Sequence, residues 1–324
     1  MKFTKLIIAL AAFFALAAAM AATKNKKNAK KEPSLKIVST IFPSYDWARE
    51  ILGEKASEAT LTLLLDSGTD IHSYQPSFKD ISKIASADVF IYVGGESDNW
   101  VPNVLKTIKN PNLRTVNLLE TLGSSAKEEE IVEGMQSEEE ESDEIELDEH
   151  VWLSLKNAKT LVSAISEAIA LCDSKNATLY KANAIVYEKR LSDLDKAFEN
   201  ALKECSKSTL VFADRFPFRY LVDDYSLSYY AAFAGCSAET EASFETVVFL
   251  SKKIDELSSN AVFQIESSDG KIAKTVIKNS QKNKNATIFV LDSMQSTTAK
   301  DAQNGKTYLS VMKKNLEVLK EALK

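Results

Sequence analysis

Short apolar runs alternate with amphipathic stretches through most of the chain. Lys36 to Ile41 reads as a strand, and Pro43 sits where a helix can begin. Tyr45 to Leu52 carries apolar residues at helical spacing and stops at Gly53. Thr60 to Leu65 reads as a second strand. Ser77 can cap a helix running through Ala85, and Asp88 to Val93 is an apolar strand. Trp100 to Ile108 then reads as a helix and Arg114 to Leu118 as a strand. The same alternation restarts later, with strands at Thr209 to Ala213, Ser228 to Ala232, Ala261 to Gln264 and Thr287 to Leu291. Helices are predicted at Phe218 to Asp224, Glu241 to Leu257, Lys271 to Asn279 and Tyr308 to Leu323. Repeated β-loop-α units argue for parallel sheets flanked by helices.

Between the two sets lie a helix from Asn157 to Leu171 and a longer one over residues 176–204. On the longer helix, Tyr180, Ala184, Tyr187, Leu191, Leu194, Phe198 and Leu202 form one apolar stripe. The fold class is therefore α/β: two lobes of parallel-sheet βα units joined by a long helix. A ligand site is expected in the cleft between them, on the loops at the carboxyl ends of the strands.

Composition refines the ends and one loop. Lys2 and Lys5 precede the nearly all-apolar stretch from Leu6 to Met20, and Ala19-Met20-Ala21 has the pattern of an export cleavage signal. Residues 23–34 are Lys-rich and aperiodic, as in a disordered tether. The net charge of −6 is local in origin. Residues 128–149 hold 13 acids and no Lys or Arg, and the rest of the chain sums to +7. Such a like-charge block predicts a disordered surface loop over about 124–147. The expected organisation is a signal peptide (1–22), a tether (23–35), a first lobe (36–175), the linking helix (176–205) and a second lobe (206–324).

The candidate chemistry is narrow. Cysteine occurs three times, as Cys172, Cys205 and Cys236, with no CxxC, so a thiolate zinc or redox motif finds no support. One disulfide among the three is open in an exported protein. HExxH, G-x-S-x-G and a phosphate-binding glycine loop do not occur, and nothing points to nucleic acid. Histidine occurs twice in 324 residues. His72 lies in the turn-rich stretch Gly68-Thr69-Asp70-Ile71-His72-Ser73-Tyr74-Gln75-Pro76-Ser77, and His150 lies in Asp148-Glu149-His150-Val151-Trp152 at the end of the acidic run. Neutral imidazole is the commonest protein ligand for Zn²⁺ and its neighbours. The plainer alternative for each is a helix cap or a gap filler.

Ile37-Val38-Ser39-Thr40-Ile41-Phe42-Pro43, Gly68-x-Asp70-x-His72-Ser73-Tyr74-x-Pro76-Ser77, Ala87-Asp88-Val89 and Gly95 through Trp100 follow one another in the first lobe. His150-Val151-Trp152-Leu153, Leu291-Asp292-Ser293 and Thr307-Tyr308-Leu309 to Asn315-Leu316 come later. In this order and spacing the chain resembles the metal-binding substrate-binding proteins of ABC importers, the zinc- and manganese-receptor (ZnuA-like) class, from about 36 to 322. The resemblance implies one metal ion between two lobes, with two ligands from each. It places His72 and His150 as the first-lobe ligands and Asp292 as a second-lobe carboxylate. The remaining ligand in that class is His or Glu, and anchoring on Phe218 and Tyr220 puts Arg215 at its place. Arg has no lone pair to offer a cation, so the neighbouring Asp214 is the nearest replacement. Arg215 could pair with Asp214 or Asp292 and gate the site, or face outward. Glu266, after a predicted strand, is a reserve ligand that looks structural in the class.

Two imidazoles with carboxylates suit Zn²⁺, with Mn²⁺ next, carried as transported ligand rather than resident cofactor. The acidic loop either concentrates cations near the cleft or is a solvated insertion. The resemblance further implies an exported, periplasmic or extracellular monomer that hands its metal to an ABC permease and its ATPase. A metal-independent adhesin on the same fold is the alternative, supported by Arg215. A metalloenzyme is the third reading, since two His and a carboxylate also describe an open non-haem iron site.

Overall fold

The computed structural model describes residues 34–136, 146–237 and 241–324. The expected signal peptide and nearly all of the tether lie outside the described residues. No helix among the described residues is long and apolar enough to cross a membrane.

The first lobe runs β1 (Lys36–Ser39), α1 (Phe42–Leu52), β2 (Thr60–Leu63), α2 (Phe78–Ala85), β3 (Val89–Tyr92), α3 (Val101–Thr107), β4 (Arg114–Asn117) and α4 (Leu118–Leu122). Its four strands are all parallel, in the order β2-β1-β3-β4. Each helix start follows a local rule. Pro43 stands in the first turn of α1, and Ser77 and Asp80 close a reciprocal capping box on α2.

Two long helices follow, α5 (Leu155–Cys172) and α6 (Ala177–Lys203), joined by a short turn in which Asp173 accepts from Asn176 and Tyr180. The seven-residue stripe expected on α6 is buried throughout, with Asp195 added to it. Asp195 is tolerated there because Tyr225 donates to it at 3.0 Å. Helix α6 is tied to α1 by Asn183 donating to the Ile51 carbonyl at 2.9 Å and by an Arg190–Glu50 ion pair. Gly53, at φ +55°, lets that Asn183 side chain approach; a Cβ there would meet its amide nitrogen at 2.6 Å.

The second lobe runs β5 (Thr209–Phe216), α7 (Arg219–Asp224), β6 (Ser228–Ala234), α8 (Phe244–Glu256), β7 (Ala261–Ile265), α9 (Lys271–Asn279), β8 (Thr287–Leu291), α10 (Ala299–Gln303) and α11 (Tyr308–Ala322). Its parallel sheet has the order β6-β5-β7-β8. Strand β5 shows why the sheet is buried on both faces. Leu210 and Phe212 point into the main core, where Phe212 stacks on Phe263, and Val211 and Ala213 point into a satellite core with Val247, Leu250 and Val276 of α8 and α9.

Behind the cleft the lobes are stitched by buried hydrogen bonds. Asp46 of α1 accepts from the Tyr308 amide of α11 at 2.8 Å. The Tyr308 hydroxyl donates to the Trp152 carbonyl at 2.6 Å, and the Trp152 indole donates to the Ser293 carbonyl at 2.9 Å. Ser154 donates to Asp224 at 2.6 Å.

The acidic segment corrects an expectation. Its described part is pinned to the second lobe rather than disordered. Glu128 bridges to Leu147, and the Gln136 amide donates to the Ala232 carbonyl. Glu129 accepts from the Cys236 amide at 2.9 Å, Glu130 pairs with Arg219, and Glu133 pairs with Lys253. Glu129, Glu130 and Glu133 thus find a donor or cation elsewhere in the chain. Residues 137–145 lie outside the described residues.

Candidate metal centre

Sheet topology brings the candidate residues to one end of the molecule. His72 follows β2. Asp214 and Arg215 end β5, Cys236 lies just past β6, Glu266 just past β7 and Asp292 just past β8. All are at carboxyl ends of parallel strands, where such sheets leave open loops.

The two imidazoles meet. His72 Nε2 and His150 Nε2 lie 3.3 Å apart. Asp70 accepts from the His72 amide at 3.1 Å and sets the turn that presents this ring. On the far side of the ring, His72 Nδ1 lies 2.7 Å from Ser97 Oγ and 3.5 Å from Glu149 Oε2. His150 is fully buried, and its Nδ1 is 3.1 Å from Asp148 Oδ1. A carboxylate accepts, so His150 Nδ1 carries a proton, and Nε2 has a lone pair whenever the ring is neutral. Each ring is thus oriented by a partner on Nδ1, the arrangement that second-shell groups give to metal-binding histidines. A tetrahedral zinc site with Zn–N bonds of about 2.0–2.1 Å separates two ligand nitrogens by about 3.4 Å. The observed spacing suits one shared ion.

The two rings are shifted in opposite directions. Burial, then the charge of His150, lowers the His72 pKa to about 3, so this ring is neutral at physiological pH. For His150 burial acts downward, but the Asp148 carboxylate, with Glu149 and Asp70 behind it, more than offsets it and the net shift is upward. Burial raises Glu149 to about 7 even though it accepts from the Ser97 amide at 2.8 Å.

A cleft of about 750 Å³ opens beside His72 and is lined also by Asp70, Asp214, Arg215, Ile265 and Ser268. Arg215 points into it and pairs with Asp70 at 2.7 Å, while its other amino group donates to the Ser237 carbonyl at 3.3 Å. The partner expected from sequence, Asp214 or Asp292, is therefore replaced by an acid of the opposite lobe. Burial pushes the Asp70 carboxyl up, but the guanidinium outweighs it and holds that carboxyl below its usual range.

The second-lobe carboxylates are already engaged. Asp214 accepts from the Arg215 amide at 2.9 Å and from the Ile265 amide at 3.4 Å. Asp292 accepts from the Met294 amide at 2.8 Å and pairs with Lys306 at 2.8 Å. Glu266 accepts from the amides and hydroxyls of Ser293 and Ser296, which accounts for both its oxygens. The one group of three candidate ligand atoms found within 4.8 Å of one another among the described residues is His72, His150 and Cys236. Asp214 and Asp292 are not in it. Cys236 was not found by sequence reasoning, because a solitary cysteine outside any motif carries no signal until β6 is placed beside β5. Its thiol is raised well above the usual value by burial and by Asp148, Glu129 and Glu149 around it.

Comparison with known proteins agrees with this architecture. The family model for zinc-uptake complex component A, periplasmic (ZnuA), matches residues 37–322. The chain belongs to the ZnuA family. That family consists of metal-binding transport components, not enzymes. Among curated relatives, the zinc-binding lipoprotein AdcA of Streptococcus pneumoniae is 30% identical over 99% of this chain and 60% of that protein. The chain thus spans about 60% of the length of the streptococcal relatives it matches. The high-affinity zinc uptake system protein ZnuA of Bacillus subtilis is 29% identical over 98% of this chain and 97% of that protein. The crystal structure of the Zn(II)-bound ZnuA-like domain of the pneumococcal AdcA superposes with a TM-score of 0.70 at 28% identity, covering 90% of this chain and 99% of that one. The metal-dependent lipoprotein YcdH of Bacillus subtilis gives 0.72 at 27% identity, with coverage of 90% and 99%.

Proposed function

We propose that the protein is an extracytoplasmic receptor that captures Zn²⁺ between its lobes and delivers it to the permease and ATPase of an ABC importer. The observation that carries the proposal is the pair of imidazoles whose Nε2 atoms face each other at 3.3 Å, each oriented through Nδ1. Family membership and the zinc-bound neighbour support the choice of cargo. Mn²⁺ is the next candidate, since His and carboxylate donors also accept it.

In this reading His72 and His150 are the first-lobe ligands, and the second lobe supplies a carboxylate. Asp292 is the better choice over Asp214. One Asp292 oxygen is held by a side-chain ammonium that a dication can replace, whereas both Asp214 oxygens accept main-chain amides. Arg215 was the sequence feature favouring a metal-free adhesin. Its pairing with Asp70 neutralises the guanidinium, so the receptor reading is preferred.

The test is calorimetric titration of chelator-stripped protein with Zn²⁺ and with Mn²⁺. One submicromolar site that is lost in a His72→Ala His150→Ala double variant is expected. Weak binding at many sites, unchanged in that variant, would sink the proposal.

A further inference from the structure

We propose that Cys236 is a metal ligand: its sulfur, supplied by the second lobe, completes a His₂Cys set with His72 and His150 and gives the receptor a preference for Zn²⁺ over Mn²⁺. This rests on the receptor reading of the same cleft. The grouping itself is geometric, since the three ligand atoms fall within 4.8 Å of one another. It does not stand on the cysteine alone. His150 is fully buried, and the partner of its Nε2 is the other imidazole nitrogen.

The fold is arranged to bring the sulfur there. Gly235 passes directly over the His150 ring: a Cβ at this position would sit 3.1 Å from His150 Cε1 and 2.9 Å from the Phe216 carbonyl oxygen. The next residue is therefore delivered beside the imidazole. The Cys236 amide is fixed by Glu129 at 2.9 Å, and the Gln136 strand bridge holds β6 just upstream at Phe233. The pinned flank of the acidic segment is thus what sets the position of the cysteine. On the adjacent strand β5, Arg215 is paired in register with Phe233 and has no lone pair to give. A donor from the end of β6 stands beside the two imidazoles, where Arg215 of β5 offers none. No disulfide claims the thiol, since Cys172, Cys205 and Cys236 are all free.

On binding, the metal–sulfur bond forms as the S–H bond breaks, and the proton leaves to solvent; no redox change is involved. A thiolate is a soft donor that suits Zn²⁺ and is poor for Mn²⁺.

The experiment loads the purified protein with Co²⁺ and reads the sulfur-to-cobalt charge-transfer absorption in the near ultraviolet. The band is expected in the unaltered protein and in Cys172→Ser Cys205→Ser, and lost in Cys236→Ser. Zn²⁺ should protect Cys236, but not the other two, from iodoacetamide, read by mass spectrometry. Zinc affinity should fall at least about tenfold in Cys236→Ser with manganese affinity nearly unchanged. The protection measurement uses the unaltered protein, so it remains decisive if the variant folds poorly. A single tight zinc site with no charge-transfer band and equal alkylation of Cys236 with and without zinc would overturn this proposal and leave the receptor standing. Absence of any tight site would overturn both.

Discussion

In the first lobe, His72 and His150 have their Nδ1 atoms engaged by Ser97 and Asp148, and their Nε2 atoms are turned toward each other. In the second lobe, Asp214 and Asp292 have their oxygens engaged already, by main-chain amides and by Lys306. One lobe therefore presents oriented rings in advance, and the other must exchange a partner before it can contribute a carboxylate. The difference teaches where affinity and where selectivity should reside. Pre-oriented imidazoles lose little freedom on binding and should dominate affinity. Groups that exchange partners should act as modest adjusters.

The sharpest way to break this contrast is alanine substitution on each side. Apparent zinc-site energies of about 10–16 kcal/mol, shared among about four ligands, give roughly 3–4 kcal/mol each. His72→Ala should therefore weaken zinc binding by a few hundred-fold, whereas Asp214→Ala should change it only a few-fold; calorimetry distinguishes them. Equal losses would abolish the proposed division.

The next effect concerns the join between lobes. Burial, opposed by Arg49 and the Tyr308 amide, raises Asp46 from 3.8 to about 6. A carboxyl whose folded pKa is raised contributes stability that is fully present below its unfolded value and lost as pH climbs through about 6. Asp46→Asn should remove that slope. Denaturant melts of variant and unaltered protein should differ in their pH dependence between 4 and 7 by up to about 3 kcal/mol. Parallel curves would show that this carboxylate does not titrate with folding.

Asp148→Asn probes orientation alone. An amide can also donate to His150 Nδ1 and favour the wrong tautomer, so zinc affinity should drop about 10–100-fold with the fold retained. Lys306→Ala gives the smallest effect, in the opposite direction. Freeing Asp292 from its ammonium should tighten zinc binding by about threefold, on the scale of one partly exposed ion pair. Weaker binding in Lys306→Ala would mean that the lysine positions the carboxylate rather than competing for it.

Much of this was legible in the residues. The stripe on α6 from Tyr180 to Leu202 is buried residue by residue, because helical periodicity over 27 residues is an unambiguous signal. The turn before His72 was also readable, since Asp70 two residues ahead of it can accept the His72 amide, as it does. Strand β5 was read too short. It continues to Phe216 because the polar pair Asp214–Arg215 finds partners in Ile265 and Asp70, which no local pattern reveals. The contacts at the flanks of the acidic segment were missed for the same reason. Its neutralising groups, Arg219 and Lys253, lie far along the sequence. Cys236 became a candidate only when the strand order β6-β5-β7-β8 set it beside residues 72 and 150. Periodicity reports local structure; pairings between distant polar residues need the topology.

The hydrogen bonds that run from Asp46 through Tyr308 and Trp152 to Ser293 have a kinetic meaning. Such a spine opposes a shell-like opening of the two lobes. On the proposed receptor reading, the cargo would leave one bond at a time, and residence time would be set by ligand substitution at the rim rather than by a hinge. A partner that speeds delivery would then do so by offering competing donors or by prying at the loops, and the dissociation rate, more than the affinity, is where its influence would be measured.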